Sequence, residues 1–142
     1  MTYVKDCLFC KIANDYPDTH IVYECSDLIA FLDTTPIRES HTQIVTKKHF
    51  EYFDDLPPII SHKIIDLGQK IAKAQKTIYP VERAGFLFTG GDIAHVHAHV
   101  LPLYENSDIT SLRYAEGSAR KVEFDTLVCV TERLKVALGK IG

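Results

Sequence analysis

The chain has 142 residues, 46% apolar and 25% charged, with a formal net charge of −3. That length fits one domain of roughly 100–150 residues, and that composition belongs to a globular protein with a packed core, which excludes a disordered chain. The negative balance offers no global attraction for a nucleic-acid polymer or an acidic lipid surface, so an anionic ligand would need a local site.

In chain order, MTYVKDCLFCKI carries no sustained apolar region or small-residue cleavage site, and no apolar run approaches the ~18 residues of a membrane span. A cytoplasmic location is the expectation. The four cysteines, at 7, 10, 25 and 129, do not suggest a disulfide framework in a chain able to bury this much core. Cys7 and Cys10 form a CxxC pair whose thiolates can chelate a tetrahedral zinc ion. The alternative is two buried, unligated cysteines. A redox role is disfavoured because the sequence shows no helix start around the pair.

HIVYECSD and LIAFLDTTP read as two strands joined at Cys25-Ser26-Asp27, and HTQIVT (41–46) alternates as a third. From Ile59 to Ile78, Ile60, Ile64, Leu67, Ile71, Ala74 and Ile78 recur at three- and four-residue spacing, which predicts an amphipathic helix of about five turns. GFLFT (85–89) and HVHAHVLPL (95–103) form a hairpin around Gly90-Gly91-Asp92. The polar stretch after Tyr104 yields no assignment. Val122 to about Leu138 reads as a helix with Phe124, Leu127, Val128, Thr131 and Leu134 on one face. With no repeat or linker, the expectation is a single α+β domain over 1–142: an antiparallel sheet of about five strands, one long helix and a C-terminal helix.

Three of the seven histidines fall within AHVHAHVL, at 95, 97 and 99. Strand alternation puts them on one face, roughly 6.5–7 Å apart, with Val96, Ala98 and Val100 facing a core beneath the long helix. Such a row offers metal ligation, proton transfer or nucleophilic attack near neutral pH. Its spacing is too wide for all three imidazoles to reach one zinc at ~2.0–2.1 Å. One of them, with Cys7, Cys10 and His49 of TKKH, would complete a Cys₂His₂ set.

CLFCKI, AFLDTTP, HTQIVTKKH and HVHAHVLP, in this order, resemble the histidine triad (HIT) family of nucleotide hydrolases and transferases, over roughly residues 7 to 104. The resemblance implies that His97 is a nucleophile forming a covalent nucleotidyl-imidazole intermediate, that His99 contacts the phosphate, and that His41 supports the site. It makes His95 the zinc ligand beside Cys7, Cys10 and His49, with the metal structural. Asp33 corresponds to the acid that holds ribose hydroxyls, although a turn residue before Thr34-Thr35-Pro36 is the competing reading. Phe9, Ile12 and Leu32 would form the base pocket. A nucleotide small-molecule substrate and a homodimer are further implications.

One segment departs from the family pattern. Where relatives carry Gly-Gln and a small polar residue, TGGDIAH places Gly91 and Asp92. Ionised aspartate only accepts hydrogen bonds and repels phosphate, so the N–H groups of Gly90 and Gly91 would have to serve as donors, in the manner of an anion nest. Asp92 capping the turn and pointing to solvent is the alternative. Leu103 follows the LP where many relatives place a basic residue, and no Lys or Arg occurs from Gly85 to Ser111. A nucleotidyl hydrolase acting on dinucleoside polyphosphates or nucleoside phosphoramidates is the expected function. A nucleotide-binding or protein-interaction module with little turnover, and a zinc-binding structural protein, are the alternatives.

Overall fold

A computed structural model describes residues 3–15, 20–119 and 121–140. The expected α+β architecture is present. Five strands, β1 (Ile21–Glu24), β2 (Leu28–Leu32), β3 (Thr42–Thr46), β4 (Arg83–Phe88) and β5 (His97–Leu103), form one antiparallel sheet in the order β1-β2-β3-β5-β4. Helix α1 (Leu8–Asp15) precedes the sheet, α2 (Pro58–Ile78) joins β3 to β4, and α3 (Leu112–Ala115) and α4 (Phe124–Gly139) follow it. The chain divides into two compact units, Met1–Ile109 and Thr110–Gly142, and the whole sheet lies in the first. Among the described residues no helix is long and apolar enough to cross a membrane.

The two faces of the sheet carry separate apolar clusters. Leu28, Ala30, Ile44, Ala98 and Val100 pack with Ile64 and Leu67 of α2, whereas Ile29, Phe31 and Val45 pack with Phe9 and Ala13 of α1. Strand alternation produces this division. Val96, Ala98 and Val100 face the long helix as the sequence predicts, and the opposite face of β5 begins with His97 and His99 before Leu101 and Leu103.

Three expectations need correction. CLFC is not free of helix: Cys10 lies within α1 and Cys7 just before it, because Phe9, Ile12 and Ala13 recur at helical spacing and bury against the sheet. His95 does not belong to β5. The chain around it bends to the segment after β3, where the Val96 N–H donates to the Phe50 carbonyl at 2.7 Å, and ladder pairing begins at His97. On α2, Ala74 and Ile78 are exposed and the inward stripe ends on Gln75 instead, continuing Ile64, Leu67 and the half-buried Ile71 at three- and four-residue steps.

α2 lies so close to β4 that a Cβ on Gly68 would stand 2.6 Å from the Phe86 ring. Helix propensity favours Ala over Gly by about 1 kcal/mol, but the contact opposes it. Gly68→Ala is expected to destabilise the fold by about 1–3 kcal/mol, the range for overpacking. Denaturant unfolding checks this, and a stabilised variant would show that the helix stands off the sheet.

Candidate functional site

Two strands and one helix deliver the polar groups. His97 and His99 project from β5 onto the α1 side of the sheet. His41 stands just ahead of β3, and the Phe9 ring meets His97 edge-on at 5.0 Å between centroids. The three candidate catalytic histidines are brought together: the rings of His97 and His99 are 5.2 Å apart and those of His41 and His99 5.1 Å.

The hydrogen bonds fix which ring nitrogen carries the proton. His97 Nδ1 lies 2.7 Å from the main-chain oxygen of His95. A carbonyl can only accept, so Nδ1 bears the hydrogen and Nε2 of the neutral ring keeps its lone pair. The Ile37 N–H donates to His41 Nδ1 at 3.2 Å, which leaves the proton of His41 on Nε2. That Nε2–H donates to His99 Nδ1 at 2.8 Å, so His99 in turn carries its hydrogen on Nε2, 3.4 Å from Thr89 Oγ1. The result is a directional chain ending in an N–H, beside an imidazole that ends in a lone pair.

Burial holds the chain neutral. It depresses His99 to about 4, with the neighbouring imidazoles of His41 and His97 adding to the effect. Burial likewise lowers His41, with Asp33 opposing.

His97 and His99 line a cleft of about 650 Å³. Phe9, Ile12, Phe31 and Leu32 form an apolar part of its wall, and Asp33 stands at the same opening. Asp33 closes the turn that its competing reading foresaw, and it also lies on the cleft wall. One carboxylate oxygen accepts from the Thr35 N–H at 2.8 Å and closes the turn, and the other accepts from Gln43 Nε2 at 2.7 Å. Burial pushes this carboxyl up, but the bonds from Thr35 and Gln43 outweigh it, and Asp33 stays below the usual carboxylate range. Gln43 escaped the sequence reading, although strand alternation two residues beyond His41 marks it for the same face. Gly91 and Asp92 line the cleft. Gly90, at φ +57°, lines an adjoining groove with Glu51, Asp54, Phe88 and His97. Among the described residues no Lys or Arg lines either space.

Behind His97 the four candidate metal ligands converge. The donor atoms of Cys7, Cys10, His49 and His95 all lie within 4.8 Å of one another. His95 Nδ1 is 3.3 Å from Cys7 Sγ and 3.5 Å from Cys10 Sγ, and His49 Nδ1 is 3.3 Å from Cys10 Sγ. The S···N edge of a tetrahedron with zinc bond lengths is about 3.6 Å, so these separations fit one ion. The tautomer of His95 fits as well: Nε2–H donates to the Thr46 carbonyl at 2.9 Å, leaving Nδ1 a lone pair on the thiol side. Burial, with His49 and His97 assisting and the Thr46 bond opposing, lowers His95 to about 4. Burial also raises the Cys10 thiol, an effect that a bound divalent cation reverses. Asp33, His41 and His99 form a second close group. Its facing nitrogens share a proton between them, which makes it a relay and not a ligand set.

A family match covers most of this unit: residues 15–106 match the HIT domain. An uncharacterised HIT-like protein of Methanocaldococcus jannaschii is 32% identical over 132 residues, covering 86% of this chain and 95% of its own. An adenosine 5′-monophosphoramidase of Candida albicans is 29% identical over 144 residues, covering 95% and 93%. Among solved structures, a Zn-bound histidine triad family protein from Mycobacterium smegmatis superposes with a TM-score of 0.65 at 26% identity, covering 75% of this chain and 81% of its own.

Two measurements follow from the geometry. The protein is expected to bind one zinc per chain, with Cys10→Ser and His95→Asn each weakening uptake by about tenfold or more, as read by competition with a chromophoric chelator. Full-strength binding in both variants would remove the four-ligand assignment. Separately, His99 is neutral in the folded chain down to about 4 against an ordinary value of 6.5. The unfolded chain therefore takes up the proton first as pH falls, so stability is complete above about 6.5 and declines from there toward 4. The midpoint of denaturant unfolding should fall between pH 6.5 and 5, with a shallower fall in His99→Asn. A flat profile would contradict the buried neutral ring.

Proposed function

The chain belongs to the HIT domain family, and from that premise we propose that it is a nucleotidyl hydrolase, cleaving nucleoside 5′-phosphate derivatives with His97 as nucleophile. The observation that carries this reading is the pairing of tautomers: an imidazole lone pair on His97 and an imidazole N–H on His99, side by side on one cleft. In this reading the base enters among Phe9, Ile12, Phe31 and Leu32, and the Asp33 carboxylate accepts from the ribose hydroxyls. The α-phosphorus lies over His97 Nε2. An N–P bond forms as the bond to the leaving group breaks, and the leaving group departs with the electron pair and takes up a proton from solvent. His99 Nε2–H donates to a phosphoryl oxygen as charge develops there. The nucleotidylated ring is cationic, and the His95 carbonyl on Nδ1–H stabilises it. Water then attacks phosphorus, the N–P pair returns to Nε2, and AMP or its analogue leaves. Zinc held by Cys7, Cys10, His49 and His95 would have a structural part, fixing the segment that enters β5.

The surroundings favour a P–N bond over a polyphosphate. A polyphosphate leaving group carries several negative charges, whereas among the described residues the spaces beside His97 present Asp92, Glu51 and Asp54 and no Lys or Arg. An amine leaving group is neutral or cationic. The name of the Candida albicans relative, a monophosphoramidase, supports the same choice. Gly91 and Asp92, which bring no side-chain donor to the phosphate, favour the second reading, a nucleotide-binding module with little turnover.

Adenosine 5′-monophosphoramidate and diadenosine tetraphosphate, each with and without Mg²⁺, separate the readings. AMP release is expected to be faster from the phosphoramidate, and to fall by about a thousandfold or more in His97→Ala. AMP binding by wild type with no release from either substrate would establish the binding module instead.

A further inference from the structure

The buried stripe of α2 ends on a polar residue that the reaction above does not use. Gln75 is 3% exposed and reaches the sheet from the face opposite the histidines. Its Nε2 donates to the carbonyl oxygen of Ser40 at 2.8 Å and to that of Val100 at 3.1 Å. Both partners are carbonyls, so the amide can only be oriented with its NH₂ toward them. Its Oε1 is buried without a hydrogen-bond partner.

The two carbonyls belong to particular neighbours. Ser40 precedes His41, and Val100 follows His99. One carboxamide therefore bridges the two main-chain segments whose imidazoles share the 2.8 Å bond on the other side of the sheet. Ladder pairing alone does not fix that bond. Thr42 is the first β3 residue paired with β5, opposite Val100, and His41 lies outside the ladder. Its placement depends on the turn before it, where Ser40 adopts φ +69°, the one non-glycine residue with positive φ among those described. A side chain other than glycine is held in that region only by its surroundings. The Ser40 carbonyl receives two donors, Gln75 Nε2 and Thr42 Oγ1 at 2.8 Å.

We infer that Gln75 is a positioning residue: its carboxamide clamps the strained Ser40 turn to β5 and so sets the hydrogen bond from His41 to His99. The inference rests on the proposed reaction for its kinetic consequence and on the fold alone for its spectroscopic one. Gln75→Met keeps length and volume but removes both donors.

In Gln75→Met, kcat for phosphoramidate hydrolysis is expected to fall by about tenfold or more, the scale of a small misplacement, with KM within about twofold. In ¹⁵N-histidine protein without substrate, the ring nitrogens of His41 and His99 are expected to shift from the fixed tautomers toward a mixture. Adding Ser40→Gly, which adopts positive φ without strain, should recover part of kcat. Should Gln75→Met fail to fold, Gln75→Asn, one methylene too short to reach both carbonyls, is read in the same way. Wild-type ring-nitrogen shifts and kcat in a folded variant, with only the melting temperature lowered, would reduce Gln75 to a core filler. A kcat loss undiminished by Ser40→Gly, with wild-type ring signals, would overturn the clamp as well. Absence of turnover in wild type would count against the proposed reaction and leave the ring-nitrogen result to decide this inference.

Discussion

A neutral imidazole has one proton and one lone pair, and here the main chain decides where each resides. The His95 carbonyl holds the proton of His97 on Nδ1, the Thr46 carbonyl holds that of His95 on Nε2, and the Ile37 N–H occupies the lone pair of His41. Those contacts leave three rings each with one determined free end: a lone pair toward the thiols, a lone pair toward the cleft, and an N–H passed through His99 toward the cleft. Thr46 ends β3, and Ile37 and His95 lie in the segments that lead into β3 and β5, so the assignment is built into the fold. Everything that the site can do chemically depends on it.

His95 joins the two halves of the arrangement. Its ring stands among Cys7, Cys10 and His49, while its carbonyl orients His97 two residues on. A cation seated on that ring would fix the residue whose main-chain oxygen orients His97, the proposed nucleophile. This coupling requires His95 to leave the ladder. A residue paired within β5 would direct its carbonyl at a neighbouring strand, whereas the bend after Ile93 frees it. The departure of His95 from the expected strand is therefore part of how the site works.

The fold class, the five strands, the long helix and the convergence of all four metal-ligand candidates were legible in the sequence. Alternation and helical spacing are strong in those segments, and a CxxC pair has few other uses. Three features were hidden for separate reasons. Helix α1 is short, and a Phe9, Ile12, Ala13 periodicity of barely one turn is a weak helix signal. Gln75 counts as polar in any hydropathy pattern, so apolar spacing alone extends the stripe through Ala74 and Ile78. The Ser40 turn has no sequence signal at all, because serine does not advertise a positive φ. Each of these depends on a tertiary partner, which local periodicity does not encode.

Burial of the histidines follows from the same requirement for neutrality. Protonated, His41 and His99 would present two N–H donors to each other across 2.8 Å, and the directional chain would be lost. Water would favour the charged forms in mildly acidic conditions, since an exposed imidazole titrates near 6.5. Burial of His41 and His99 beside the central strands β3 and β5 disfavours the charged state of both rings. The same desolvation strengthens the interaction of the His99 N–H with any anion that reaches the cleft. Among the described residues no Lys or Arg lines the cleft, so the favourable contacts for an anion there come from oriented dipoles and not from full positive charges, and dipoles held in advance need no reorganisation. In the proposed reaction, donors so placed would stabilise the point at which charge concentrates more than the ground state, which is what nucleotidyl transfer to an imidazole needs.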